Sequence, residues 1–118
     1  MRIDKDLVAA SATPLVLGIL AEGESYGYAI LQQVAEMSGG NIDWTDGMLY
    51  PLLHRLERLG HVTSSWTTSE QGRRRKQYAL TELGRGALVE RREQWVVVSR
   101  ALDKVWREVG FVPAPGMA

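Results

Sequence analysis

The sequence contains no cysteine. A disulfide scaffold and a cysteine-based zinc site are therefore excluded, and the absence fits a reducing cytoplasm. No uninterrupted apolar run approaches the roughly 20 residues of a membrane span. The opening Met1-Arg2-Ile3-Asp4-Lys5-Asp6 mixes acid and base and precedes no signal-type apolar core. A cytoplasmic protein without a membrane partner is the expectation. There are only two histidines, His54 and His61. They stand seven residues apart with Gly60 between them and lack the i,i+4 spacing of a helical metal pair. No glycine-rich phosphate cradle is present, so neither metal nor cofactor is expected. Net charge is also missing, with 14 Lys+Arg against 14 Asp+Glu. At face value that speaks against a nucleic-acid partner.

What is present is an ordinary globular composition. The chain has 118 residues, 45% hydrophobic and 24% charged, enough for one domain that buries about two-thirds of its unfolded surface. The zero charge is not uniform. Residues 1–44 hold two basic and six acidic residues, residues 45–81 six and three, and residues 82–118 six and five. A basic middle is masked by an acidic front, and such a field attracts phosphate locally. Its densest part is Arg73-Arg74-Arg75-Lys76. A short basic run is often only a solvated loop, so its surroundings decide its meaning.

Residues Leu7 to about Ala21 read as a helix, with Pro14 expected to mark the start of its regular part. Ser25 is the expected N-cap of a second helix, Tyr26 to about Met37, with Ile30, Leu31 and Val34 as its apolar stripe. Ser38-Gly39-Gly40-Asn41 ends it. Thr45 or Asp46 caps a third helix that runs to about Leu59 and stops at Gly60. There Leu49, Leu52, Leu53, Leu56 and Leu59 share one face at 3.6-residue spacing. Gly47, Tyr50, Pro51, His54 and Arg58 take the opposite face, with Arg55 at its margin. Pro51 cannot donate to the Gly47 carbonyl, so this helix either begins late or bends. Val62 to Thr68 reads as a strand, Ser69 to Gly72 as a turn and Lys76 to Leu80 as the returning strand. Thr81 then caps a long helix to about Val109, followed by a Pro/Gly tail.

Three helices, a hairpin and a helix are the order of a winged helix-turn-helix module with one extra helix. The fold class is mainly α with a β-hairpin: a winged helix domain over residues 1–81, a C-terminal dimerisation helix over 82–109 and a flexible tail over 110–118. The outward face of the third helix suits a DNA major groove, which admits one helix. Thr45, Met48, Tyr50, Pro51, His54 and Arg55 form the candidate groove-side set. Arg73, Arg74, Arg75 and Lys76 on the wing form the candidate phosphate set, which adds affinity without sequence information. Tyr28 is open to either a backbone contact or a packing role.

Three segments carry a resemblance. Ser25-Tyr26-Gly27-Tyr28-Ala29-Ile30 looks like the second-helix opening of the PadR family of transcriptional regulators. Gly47-Met48-Leu49-Tyr50-Pro51-Leu52-Leu53-His54-Arg55-Leu56-Glu57 resembles its recognition-helix signature, with Met48 where Thr is more usual. Gly72 to Thr81, leading into Glu82-Leu83-Gly84, resembles its wing. Together the segments span about residues 10–108 in the family's order and spacing. The resemblance implies a winged helix domain that dimerises through its last helix, represses transcription from a palindromic operator and releases it when a small molecule binds. The chain is similar to the short subclass with a single C-terminal helix.

The last helix carries its own pattern. Leu88, Trp95, Leu102 and Val109 recur every seven residues, with Val98 and Val105 between them. This is an a/d seam, broken by Arg91. A long helix in so small a domain has few internal partners, so the same helix of a second chain is its expected mate, giving a homodimer. A two-fold dimer would present two recognition helices to half-sites one DNA turn apart. Trp95 has two readings. One is packing on the seam. The other follows from the resemblance: in multidrug-responsive members a Trp at the matching place stacks flat aromatic ligands between subunits. That would make Trp95, with Val98 and Ser99, a site for a planar aromatic effector. No acid lies beside it to balance a cationic ligand. Trp44 and Trp106 are expected to pack.

Two other classes compete. Gly23-Glu24-Ser25-Tyr26-Gly27 matches the G-x-S-x-G nucleophile elbow, with Asp43 or Asp46 and His54 or His61 later in the chain. That pattern needs a strand before and a helix after, within a hydrolase sheet for which the chain is too short. The expectation is no enzyme. The second alternative is a winged helix that binds protein through the seam and no DNA.

Overall fold

The computed structural model describes residues 1–111, so most of the expected tail, residues 112–118, lies outside the described residues. The first helix, α1, spans Lys5–Glu22. Asp4 starts it from extended backbone, its Oδ1 accepting the Asp6 N–H at 3.0 Å, which satisfies one of the free donors of the first turn. This corrects the expectation that regular helix begins at Pro14. The aspartate cap sets the start, and Pro14 sits inside the helix.

Ser25 does not cap the second helix. Ser25–Tyr26 form a short strand, β1, and α2 spans Gly27–Met37 with Tyr26 at its N-cap and no side-chain cap bond. The reason lies in the sheet. Ser25 and Tyr26 pair antiparallel with Tyr78 and Gln77, so these two residues are held extended. Helix α3 spans Asp46–Arg58, preceded by Thr45 at the N-cap position, and contains Pro51. It therefore does not begin late. Gly60 adopts a φ of +79°, while the His61 N–H reaches the Leu56 carbonyl at 2.9 Å and the Gly60 N–H the Glu57 carbonyl at 3.0 Å. That is a Schellman stop, in which a left-handed residue follows the last helical turn. Leu59 accordingly falls past the helix and is 54% exposed, rather than joining the buried stripe.

Strands β2 (Val62–Thr68) and β3 (Arg74–Leu80) complete an antiparallel sheet of order β1-β3-β2. The expected hairpin is thus three-stranded, and its returning strand starts at Arg74, two residues before the expected Lys76. The register sets Trp66 opposite Lys76, Ser64 opposite Tyr78 and Val62 opposite Leu80. Helix α4 spans Glu82–Glu108. Thr81 caps it as expected: its Oγ1 accepts the Gly84 N–H at 3.0 Å and its hydroxyl donates to the Gly60 carbonyl at 2.6 Å.

The chain divides into two compact units, Met1–Leu88 and the stretch from Val89 onward. In the first, Val16, Leu17 and Leu20 of α1 meet Ile30 and Val34 of α2, Leu49, Leu53 and Leu56 of α3, and Val62 and Tyr78 of the sheet. Truncating one of these leucines to Ala would cost about 2–5 kcal/mol. Trp44 is buried in this core as expected, and Leu88 packs against it. The first turn of α4 comes so near the His61 backbone that a Cβ on Gly84 would clash with the His61 carbonyl oxygen.

Candidate nucleic-acid interface

The 3.6-residue turn of α3 buries Leu49, Leu52, Leu53 and Leu56 and leaves Thr45, Gly47, Tyr50, Pro51, His54, Arg55 and Arg58 exposed. Of the expected groove-side set, Met48 differs: it is half-buried and packs against the core. Arg55 is exposed, but one guanidinium nitrogen donates to Thr13 Oγ1 at 3.4 Å, which ties it to α1. Tyr50 lies across the start of α2, and a Cβ on Gly27 would meet its ring. Glycine is therefore what lets the hydroxyl end of this ring come so close.

A groove of about 810 Å³ runs between this helix and the wing. Tyr28, Tyr50 and His54 line it together with Trp66, Arg73, Arg74, Arg75 and Lys76 of the wing. Tyr28 is 62% exposed, its hydroxyl accepting from Gln32 Nε2 at 3.1 Å. The alternation of β3 separates the basic run. Arg74 and Lys76 share a face with Trp66, the Arg74 guanidinium 4.9 Å and the Lys76 ammonium 5.9 Å from its ring centre. Arg75 alternates with them along the strand, yet it too lines the groove, its guanidinium stacked over Tyr26 at 3.7 Å. Its Nε is buried without a hydrogen-bond partner, so part of this cation is engaged within the fold. Arg73 precedes the strand, in the turn that the Ser69 hydroxyl closes by accepting its N–H at 3.1 Å.

Trp66 is the residue the sequence reading missed. It is 60% exposed, and an exposed indole against two cations holds both by attraction to its π face. The sequence pattern starts the returning strand at Lys76; only with the strand begun at Arg74 does the register set Trp66 opposite Lys76. At the floor, the Tyr78 hydroxyl is buried without a partner. Burial raises its pKa above the ordinary 10.0, and nearby Glu57 and then Tyr50 add to the rise.

Among the described residues, the second unit consists of the remainder of α4 and its closing turn. Trp95 is half-buried, and Ser99 is exposed. Val98, Leu102, Val105 and Val109 are each at least 40% exposed, as is Trp106, which the sequence reading had expected to pack. Gly110 and Phe111 close the helix, the Phe111 N–H bonding to the Trp106 carbonyl at 2.7 Å.

Comparison with known proteins places this geometry. The model of the transcriptional regulator PadR-like family matches residues 16–90. The chain belongs to the PadR family. The transcriptional regulator Rv3488 of Mycobacterium tuberculosis is 37% identical over 94 residues, which cover 80% of this chain and 78% of that protein. The transcriptional regulator YqjI of Escherichia coli is 35% identical over 80 residues, 68% of this chain but 37% of that longer protein. A transcriptional regulator from Clostridium thermocellum superposes with a TM-score of 0.77 at 25% identity, covering 85% of this chain and 97% of that one. As a PadR regulator the protein acts in transcription and is not an enzyme. Ser25, in the nucleophile-elbow match, is a strand residue of its sheet. No helix among the described residues is long and apolar enough to cross a membrane.

Proposed function

We propose that this PadR regulator is a cytoplasmic, homodimeric repressor that binds a palindromic operator and releases it on binding a planar aromatic effector. The observation that carries the DNA reading is the groove between α3 and the wing. A helix face bearing Tyr50, Pro51, His54 and Arg55 is exposed, and Arg74 and Lys76 are held beside it on Trp66. In this reading Thr45 and the exposed α3 face meet base edges, while Tyr28 and Arg73 to Lys76 meet phosphates. Dimerisation has separate support: Val98, Leu102, Val105 and Val109 repeat at heptad spacing and are exposed in the single chain. Leu88 begins the seam, and Trp95, Val98 and Ser99 form the effector site. Effector binding would bias the angle between subunits and so the spacing of the two α3 helices.

The test is selection of bound fragments from genomic DNA, followed by affinity measurements on the recovered duplex across salt. The expected result is a palindromic motif and an affinity that falls steeply with salt. The double variant Arg74→Ala/Lys76→Ala should weaken all sequences alike, and His54→Ala should change sequence preference. Salt-independent or absent binding would favour a protein-interaction module instead.

A further inference from the structure

A second groove of about 860 Å³ lies between the start of α1, residues 41–44 and α3. Four cations line it, Arg2, Lys5, Arg55 and Arg58, against one carboxylate, Asp43. Arg2 and Lys5 are the only basic residues in the acidic front before residue 45, and both are brought to this groove. Asp4 and Asp6 do not line it, and Asp4 is occupied in capping α1. Among the described residues the one ion pair is Arg85 with Glu82, so no carboxylate pairs with any of the four cations.

The two grooves flank α3. The wing-side groove takes Tyr50 and His54 from it, and this one takes Met48, Pro51, Leu52, Arg55 and Arg58. At 3.6 residues per turn these two sets centre roughly 110° apart around the helix. Gly47, which lines neither groove, falls between them, with His54 and Arg58 at the facing edges. A helix is about 10–12 Å across with its side chains, and the major groove is about 12 Å wide. A helix seated there has a phosphate strand along each flank.

We infer that Arg2 and Lys5, with Arg58, form a second phosphate-contact set that grips the DNA strand across the major groove from the strand met by the wing. The inference rests on the DNA reading above. Charge selects this occupant: four unpaired cations exceed what a small acid needs, and phosphate strands supply continuous negative charge.

The test uses the full chain and the duplex recovered by genomic selection, with its phosphates replaced one at a time by neutral methylphosphonates. The native protein should show two sensitive sets per half-site, one on each wall of the groove. Arg2→Ala/Lys5→Ala should erase one set and leave the other, while Arg74→Ala/Lys76→Ala does the reverse. Each double variant should lower the salt exponent by about 1.8 per protomer, at about 0.9 per contact. Arg2→Lys/Lys5→Arg should restore the exponent. If Arg2→Ala/Lys5→Ala leaves both sets and the exponent intact, the inference is overturned while the DNA reading stands. The inference is likewise overturned if that variant loses only dimer mass or only affinity for an aromatic acid. If the native protein has no sensitive phosphates, the DNA reading itself fails.

Discussion

Replacing Gly84 by Ala tests how the wing is joined to the last helix. The added Cβ would clash with the His61 carbonyl oxygen and lie 2.7 Å from Leu80 Cδ1 and 3.0 Å from the His61 carbonyl carbon. The leucine tip can rotate away, but the His61 backbone cannot. It is fixed by the Schellman stop of α3 and by the Thr81 N–H, which donates to the same carbonyl at 3.1 Å. Relief therefore requires the start of α4 to move, which loosens the Thr81 bonds to Gly60 and Gly84. Overpacking costs about 1–3 kcal/mol, and one weakened hydrogen bond adds about 1 kcal/mol. The better helix propensity of Ala returns about 1 kcal/mol, leaving a net loss of about 2 kcal/mol. With a urea slope of about 1–3 kcal/mol/M, the unfolding midpoint should drop by about 1 M at fixed protein concentration. Gly86 supplies the control. It lies two residues along the same helix with nothing within 4 Å of its added Cβ. Gly86→Ala should therefore gain up to about 1 kcal/mol from propensity alone. If both variants shift the midpoint in the same direction, the close approach does not govern stability and the reasoning is refuted.

Under the proposed reading, Trp66→Ala should weaken operator binding about fivefold, about 1 kcal/mol for the lost cation–π support. The salt exponent should not change, because no charge is removed, and Trp66→Phe should recover part of the loss; native affinity in Trp66→Ala would sink the idea. Tyr78 ionises later when folded than when unfolded, since burial raises its pKa. Its contribution is thus fully present below about pH 10 and lost as pH rises through the folded value. Urea midpoints should fall above pH 10 in the native chain and fall less in Tyr78→Phe. At pH 7 that variant should be at least as stable, because the deleted hydroxyl is buried without a partner. For the effector site, planar aromatic compounds should quench a variant with Trp44, Trp66 and Trp106 replaced by Phe, and should fail to quench through this site in Trp95→Phe. Unaltered emission in the first, folded by circular dichroism, would remove Trp95 from the site.

The parts of the fold legible in the sequence were those written as periodicity. Leu49, Leu52, Leu53 and Leu56 marked the inner face of α3 because their spacing matches the helical turn. Thr81 marked the start of α4 because its capping chemistry is local. The corrections arise where a distant strand decides. Ser25 resembles an N-cap in isolation, yet backbone pairing with Tyr78 holds it in β1, and no local rule encodes a partner some fifty residues away. Leu59 fits the apolar period but falls past the stop set by Gly60. The basic run was visible as composition, while the pairing of Lys76 with Trp66 depends on register. Trp66 was hidden for the same reason, since its importance comes from what lies opposite.

Register also changes what zero net charge means. Averaged over the chain, acid cancels base. In space, wing cations line one flank of α3, while Arg2 and Lys5, drawn from an otherwise acidic front, line the other with Arg55 and Arg58. Cations on one flank alone would attract DNA but leave the helix free to roll about the wing. Cations on both flanks oppose that roll, because turning toward one strand withdraws contacts from the other. The acidic remainder discourages approach by any other face. A neutral chain arranged in this way would depend on correct seating for its affinity. It should therefore bind weakly through a single half-site and gain most of its strength when a second copy engages the other half.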